Sequence, residues 1–226
     1  MAINRSAPLR PPKAPNLLNA PREGYNVNYF DQYSNVLRLY FNQIDNFAAA
    51  VGGNNGGANI QFPYIAASDS TSQYATGSNT PTKVAWNSAD EINGWTLDPS
   101  GYASPDFAGV YNIAYSLQLA NTDNAIHNTN VWLRVNGVDL AKSTSKFTLQ
   151  ARKSALVYNF VVAYSSVVFE VAAGDEIELW WATDQAATSG GATGIYMQAE
   201  AAQTSPFAHP SVPSAIGSIT FVSALY

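Results

Sequence analysis

The hydrophobic period of this chain changes once, and that change constrains what it can fold into. Phe30, Tyr33, Leu37, Tyr40, Ile44, Phe47 and Val51 recur at three-then-four spacing, the period of a helix face that meets another helix. The run Gly52-Gly53-Asn54-Asn55-Gly56-Gly57 then ends any helix, since glycine costs about 1 kcal/mol more than alanine per helical position. From residue 59 onward apolar residues alternate with period two, and turn residues recur roughly every ten positions, the pattern of short antiparallel strands. The expected organisation is an extended arm over 1–28, an oligomerising amphipathic helix over 29–51, a Gly/Asn-rich hinge over 52–58 and a β-rich head over 59–226.

Within the head, Tyr111, Ile113, Tyr115, Leu117 and Leu119 share one face of a strand over 110–119, with Asn112, Ser116 and Gln118 on the other. Val131, Leu133 and Val135 alternate with Trp132 and Arg134 ahead of Asn136-Gly137, a strong hairpin signal, and residues 138–140 begin the return. Residues 155–164 are apolar on both faces, so this strand is expected to be buried on both sides, one of them a subunit interface. Residues 175–183 set Ile177, Leu179 and Trp181 against Glu176, Glu178 and Trp180, and two further strands fall over 195–199 and 218–225, the last leading into Tyr226. At least eight strands with no helical crossover predict a mainly β fold: a C-terminal antiparallel jelly-roll sandwich, preceded by a short trimeric coiled-coil helix and an extended Pro-rich N-terminal arm.

The arm holds Pro8, Pro11, Pro12, Pro15 and Pro21, each fixing φ and removing a backbone donor, so neither helix nor central strand fits it. It also carries Arg5, Arg10, Lys13 and Arg22 and no acid over residues 1–22. With a net charge of −5 for the whole chain, the remainder carries −9. A basic arm on an acidic body suits anchoring to an acidic protein surface, and the same spacing is common in plain disordered tails. The body has no bulk charge that would draw it to nucleic acid. Only 12% of residues are charged while 46% are hydrophobic, against roughly 25% charged in an average soluble domain. Surface polarity must come from Asn, Gln, Ser and Thr, or part of the surface is buried in an assembly.

The helix is expected to start near Asn28, as its cap, and to reach Val51, and its aromatic seam suits a three-stranded bundle. Val36, Phe41 and Ala48 widen the apolar stripe, as in a helix that packs on its own domain; the strict seam and the detaching glycine run favour self-association instead.

Chemistry is sparse. There is no cysteine, which excludes disulfides, thiolate catalysis and sulfur ligation of zinc. The two histidines, His127 and His209, fall in turn-like contexts; His127 has no carboxylate pattern nearby and reads as a surface polar residue. No Gly-x-Ser-x-Gly elbow, phosphate-binding loop or His-Glu-x-x-His stretch occurs. Glu176 and Glu178 share a strand face, as a glycosidase pair or as solvated edge charges, and Asp98, Asp106, Asp123 and Asp184 lie in loops without EF-hand spacing. No catalytic, cofactor-binding or metal-binding residue is assigned, and an enzyme is not expected. Trp132, Trp180 and Trp181 are the candidate interface or ligand aromatics, with Trp180 and Trp181 on opposite faces of a sheet.

Several segments carry a resemblance. Phe107-Ala108-Gly109-Val110-Tyr111-Asn112-Ile113 resembles the Phe, Gly-x-Tyr strand of the tumour-necrosis-factor-like and complement-globular-head jelly rolls, and Leu133-Arg134-Val135-Asn136-Gly137 resembles their following hairpin strand. Val171-Ala172-Ala173-Gly174-Asp175-Glu176-Ile177-Glu178-Leu179 is similar to their Gly-Asp turn into a strand, and residues 219–225 to the closing strand. The resemblance spans about 100–226; residues 58–99, with Tyr64, Tyr74, Trp86 and Trp95, match none of it, and the collagen-like stalk of complement proteins is absent. The order of Pro-rich arm, Tyr-rich helix and such a head also resembles virion structural proteins of tailed bacteriophages, which implies homotrimers of jelly rolls packed around an axis.

These readings give a homotrimeric virion protein, attached to other capsid or tail proteins by arm and helix, whose head projects as a fibre or appendage toward a host-surface glycan or protein. The alternatives are a capsid decoration protein that stabilises the shell and a glycan-processing enzyme with a carboxylate pair at a subunit interface. With no apolar run suited to a signal peptide or membrane span, the expected location is the virion, after synthesis in the host cytoplasm.

Overall fold

The computed structural model of the chain describes residues 11–15, 24, 26–52, 62–205 and 208–225. They fall into two compact units, residues 1–61 and 62–226. In the first, helix α1 (Val27–Gly52) contains the whole apolar seam and is about 39 Å long at 1.5 Å per residue. Asn26 caps it, its Oδ1 accepting the N–H of Tyr29 at 3.1 Å, one of the donors no helical carbonyl reaches. The cap thus lies two residues ahead of the expected Asn28, which sits inside the first turn. Residues 11–15 form neither helix nor strand, in keeping with Pro11, Pro12 and Pro15, and Lys13 among them is exposed. Arg5, Arg10 and Arg22 lie outside the described residues, as does the hinge beyond Gly52.

The second unit is an antiparallel jelly-roll sandwich, as expected of the head. Its strands among the described residues are β1 (Tyr64–Asp69), β2 (Thr82–Lys83), β3 (Ser88–Asn93), β4 (Trp95–Leu97), β5 (Ala103–Pro105), β6 (Gly109–Asn121), β7 (His127–Val135), β8 (Val138–Asp139), β9 (Ser145–Leu149), β10 (Asn159–Val171), β11 (Ile177–Thr183), β12 (Ile195–Met197) and β13 (Ala215–Ser223). One sheet runs β10-β6-β13-β1-β3, with β12 on β6 beyond the end of β13; the other runs β4-β5-β11-β7-β8, with β2 on β11 and β9 on β7. Four of these strands come from residues 58–99, where the sequence resembles nothing placed.

The core lies between the sheets and follows the period-two pattern. Tyr111, Ile113, Tyr115, Leu117 and Leu119 of β6 are all buried, facing Val131 and Leu133 of β7 and Ile177, Leu179 and Trp181 of β11 in one cluster. Trp95 meets the Tyr111 ring edge-on at 5.0 Å between centroids. Gly109 allows this corner to close, because a Cβ there would lie 2.7 Å from the Phe221 ring. The hairpin forms where expected: Asn136 and Gly137 have φ of 50° and 77°, both left-handed as a type I′ turn requires, and β8 returns along β7.

Two strands differ from the expectation. Residues 155–158 form a turn, with Leu156 at its tip 87% exposed, and the strand runs from Asn159 to Val171 instead. It pairs with β6 without a register break, from Gly109↔Val171 to Asn121↔Asn159. Because β10 is the edge of its sheet and nothing among the described residues of this unit covers its outer face, it is buried on one side rather than two. Strand β13 runs from Ala215 to Ser223, starting three residues before and stopping two residues short of the expected 218–225, and Tyr226 lies outside the described residues.

Candidate functional site

Three surfaces carry the residues singled out above. The first is the outer face of the sheet that holds β10. Period-two geometry turns Phe160, Val162, Tyr164 and Val168 outward together, and each is more than half exposed. The register sets them beside Ala120, Gln118, Ser116 and Asn112 of β6, and on the far side of β6 Ser116, Ala114 and Asn112 pair with Ile216, Ser218 and Thr220 of β13. No charge interrupts these three rows until Glu170 at the end of β10. The same residues that made 155–164 look doubly buried form an uncovered apolar stripe. The α1 seam behaves alike: Tyr33, Leu37, Tyr40, Ile44 and Phe47 are half-buried, Phe30 and Val51 are exposed, and none is fully buried.

The second surface is the outer face of the other sheet, where Trp132 and Trp180 are cross-strand partners. Both indoles are engaged within the chain, Trp132 Nε1 donating to Asp139 at 2.7 Å and Trp180 Nε1 to Glu178 at 2.8 Å. The Arg134 guanidinium lies 3.9 Å over the Trp180 ring and pairs with Asp139 at 2.8 Å, holding that carboxyl below its usual value, with help from Trp132. Glu178 also takes Lys83 at 3.0 Å, whereas Glu176, two residues earlier, is exposed. Trp180 and Trp181 do point to opposite faces, but Trp181 is fully buried in its own sandwich, its Nε1 lacking a partner among the described residues. Trp181 is therefore neither an interface nor a ligand aromatic: alternation in β11 directs it inward.

The third surface is the loop end where β6, β7, β11 and β12 begin or stop. Asn121, fully buried, donates to the carbonyls of Ala125 and Gln150 at 2.8 and 2.9 Å and accepts the N–H of Asp123 at 2.9 Å, folding residues 121–126 tightly. His127 then stands between two carboxylates, Nε2 at 2.8 Å from Asp123 and Nδ1 at 3.1 Å from Asp184. Asp184 also accepts the backbone and side-chain N–H of Asn128 at 3.0 and 3.2 Å, and Thr193 Oγ1 donates to Asp123 at 3.1 Å. The His127 bond is the main cause that lowers the Asp123 carboxyl below its usual value.

This overturns the reading of His127 as a surface polar residue without carboxylates. Asp123, four residues earlier, was visible in the sequence; Asp184 arrives from 57 positions away only because β7 pairs with β11. Both ring nitrogens are engaged within the chain, so the junction ties the loop after β6 to the end of β11. His209 is in a loop bridge with Gln203, as expected, its Nδ1 2.7 Å from the Pro210 carbonyl. Among the described residues no cluster of three or more His, Asp or Glu is arranged to hold a metal ion, and no helix is long and apolar enough to cross a membrane.

The class these observations define is a jelly-roll protein of two antiparallel sheets with an N-terminal helix. No protein-family model matches the chain, and no curated protein does. Among solved structures it is similar to the structure of Eiger TNF from S. frugiperda, at 13% identity and a TM-score of 0.44, over 73% of this chain and 96% of that one.

Proposed function

We propose that the chain is a self-associating virion structural protein, a homotrimer of the tailed-phage type, whose arm and helix attach it to other virion proteins while the jelly-roll head projects. The observation that carries this reading is the uncovered stripe of Phe160, Val162, Tyr164 and Val168. A protein with so few charges that leaves four large side chains in one row exposed gains by covering them, at ~1.5–3 kcal/mol for each side chain buried. A second copy is the partner that fits, because a face with charge only at its ends, Glu170 at one and Glu200 beside Phe160 at the other, meets its own image with little repulsion. The α1 seam, with none of its residues fully buried, supports the same assembly from the other unit, and three copies accommodate its aromatic residues best. Arg5, Arg10, Lys13 and Arg22 give the arm the charge to lie on an acidic partner.

Native mass measurement of the full chain and of residues 58–226 tests the reading. Three copies are expected in the full chain, and three copies surviving in the head alone assign the stripe as the determinant. A single copy at micromolar concentration in both would overturn it.

A further inference from the structure

Beside the His127 junction, residues of β12 and of three loops enclose a cleft of about 220 Å³. Tyr74, Tyr158, Tyr196, Arg152, Thr122 and the 187–193 loop line it. We propose that this cleft binds an acidic saccharide, the Arg152 guanidinium taking the sugar carboxylate while a pyranose ring lies against the tyrosines and hydroxyls of the wall. This goes beyond the proposed function by giving the projecting head a ligand, and it does not depend on the assembly.

Four observations converge. Arg152 is half-buried, and its one hydrogen bond among the described residues is made by its backbone N–H, to the Asp123 carbonyl at 2.8 Å. Its guanidinium therefore has no carboxylate partner among the described residues, on a body that is otherwise acidic, and is free to take an anion there. The neighbouring carboxylates do not serve: Asp123 and Asp184 are already engaged by His127, Thr193 and Asn128.

The aromatic wall is fixed. Tyr74 and Tyr196 stack at 5.1 Å with rings 6° from parallel, and Tyr196 donates to Gln198 at 2.8 Å. Burial, with smaller contributions from Tyr74, Tyr158 and Glu200, pushes the Tyr196 phenol up to about 12, so the ring stays neutral at any physiological pH. Neutral rings with phenolic edges suit a ligand whose ring faces are C–H and whose rim is hydroxyl.

The opposite wall is preorganised. Thr188 Oγ1 accepts the N–H of Ala192 at 2.8 Å, and a Cβ at Gly194 would lie 2.6 Å from the Gln185 carbonyl, so only glycine lets the loop turn in against the sheet. A loop already held in place loses little freedom on binding. Size and charge select the ligand class. The cleft is several times the ~30 Å³ share of a water and below the ~300–1,000 Å³ of drug-sized sites, so one ring fits. A single cation beside three aromatic rings matches a monoanionic sugar better than a phosphate, which draws several donors.

Saturation-transfer NMR on the full chain, with D-glucuronate, D-glucose, inorganic phosphate and a glucuronate-containing polysaccharide as probes, tests the assignment. Glucuronate ring protons should receive saturation and glucose much less. Polysaccharide binding tighter than monosaccharide binding points to a surface polymer as the source, and equal binding to the free acid. Arg152→Gln should weaken glucuronate about ten- to hundredfold with an unchanged melting temperature, since no protein partner is lost. Ala192→Trp, at an exposed wall position, should block the cleft independently. Absence of glucuronate binding, equal binding by both variants, or displacement of glucuronate by millimolar phosphate would overturn the proposal. None of these outcomes alters the mass of the assembly, so failure of the site and failure of the trimer are told apart.

Discussion

At the scale of single residues, two inner-face positions test opposite changes of volume. Gly217 faces the core, where a Cβ would come within 2.8 Å of the Trp86 ring. Gly217→Ala forces that ring aside at about 1–3 kcal/mol, more than the ~0.4–1 kcal/mol gained from a stiffer unfolded chain. Its melting temperature should fall by several degrees in a thermal scan. Trp181 leaves a buried N–H unpaired, so Trp181→Phe gives up volume but removes an unsatisfied donor. It should cost about 1–2 kcal/mol in urea unfolding, against roughly 3–5 for Trp181→Ala. Asp123 supplies a pH prediction. Its carboxyl is lowered from 3.8, so the stability it contributes is fully present above that value and is lost as pH falls through the lower folded-state value. The melting temperatures of wild type and Asp123→Asn should therefore differ at pH 6 and draw together as pH falls below the ordinary carboxylate value of 3.8.

At the scale of elements, β10 separates folding from association. Its outward side chains are exposed in the single chain, and exposed substitutions usually change stability by no more than about 0.5 kcal/mol. Val162→Lys with Tyr164→Glu should leave the urea midpoint of the head unmoved and yet reduce its native mass to that of one copy. An unchanged trimer would place the contact elsewhere on the head, as on the Trp132–Trp180 face. Helix α1 was legible from its spacing and glycine stop because a helix period is a local property. Its cap was misplaced by two residues because Asn26 and Asn28 are chemically alike and only the hydrogen bond to Tyr29 separates them. Strands β2, β3 and β4 escaped notice for a related reason: they are two to six residues long, and Ser88–Asn93 is polar, so no period-two signal accumulates.

At the scale of the whole molecule, the proposed role makes a prediction about particles. Removing the protein from purified virions should lower host adsorption and leave thermal resistance unchanged; loss of thermal resistance alone would assign it to shell reinforcement instead. The sequence by itself determined the two-part layout, the all-β head, the buried face of β6, the Asn136-Gly137 hairpin and the opposite orientations of Trp180 and Trp181. Each of these follows from a period or a backbone preference that operates within about ten residues. The tertiary structure alone decided that β10 is an edge, that Trp181 is core, that Asp184 reaches His127, and that Arg152 meets Tyr74 and Tyr196 in one cleft. Those facts depend on which strands become neighbours, and alternation tells how a strand is divided between two faces without telling what covers either one.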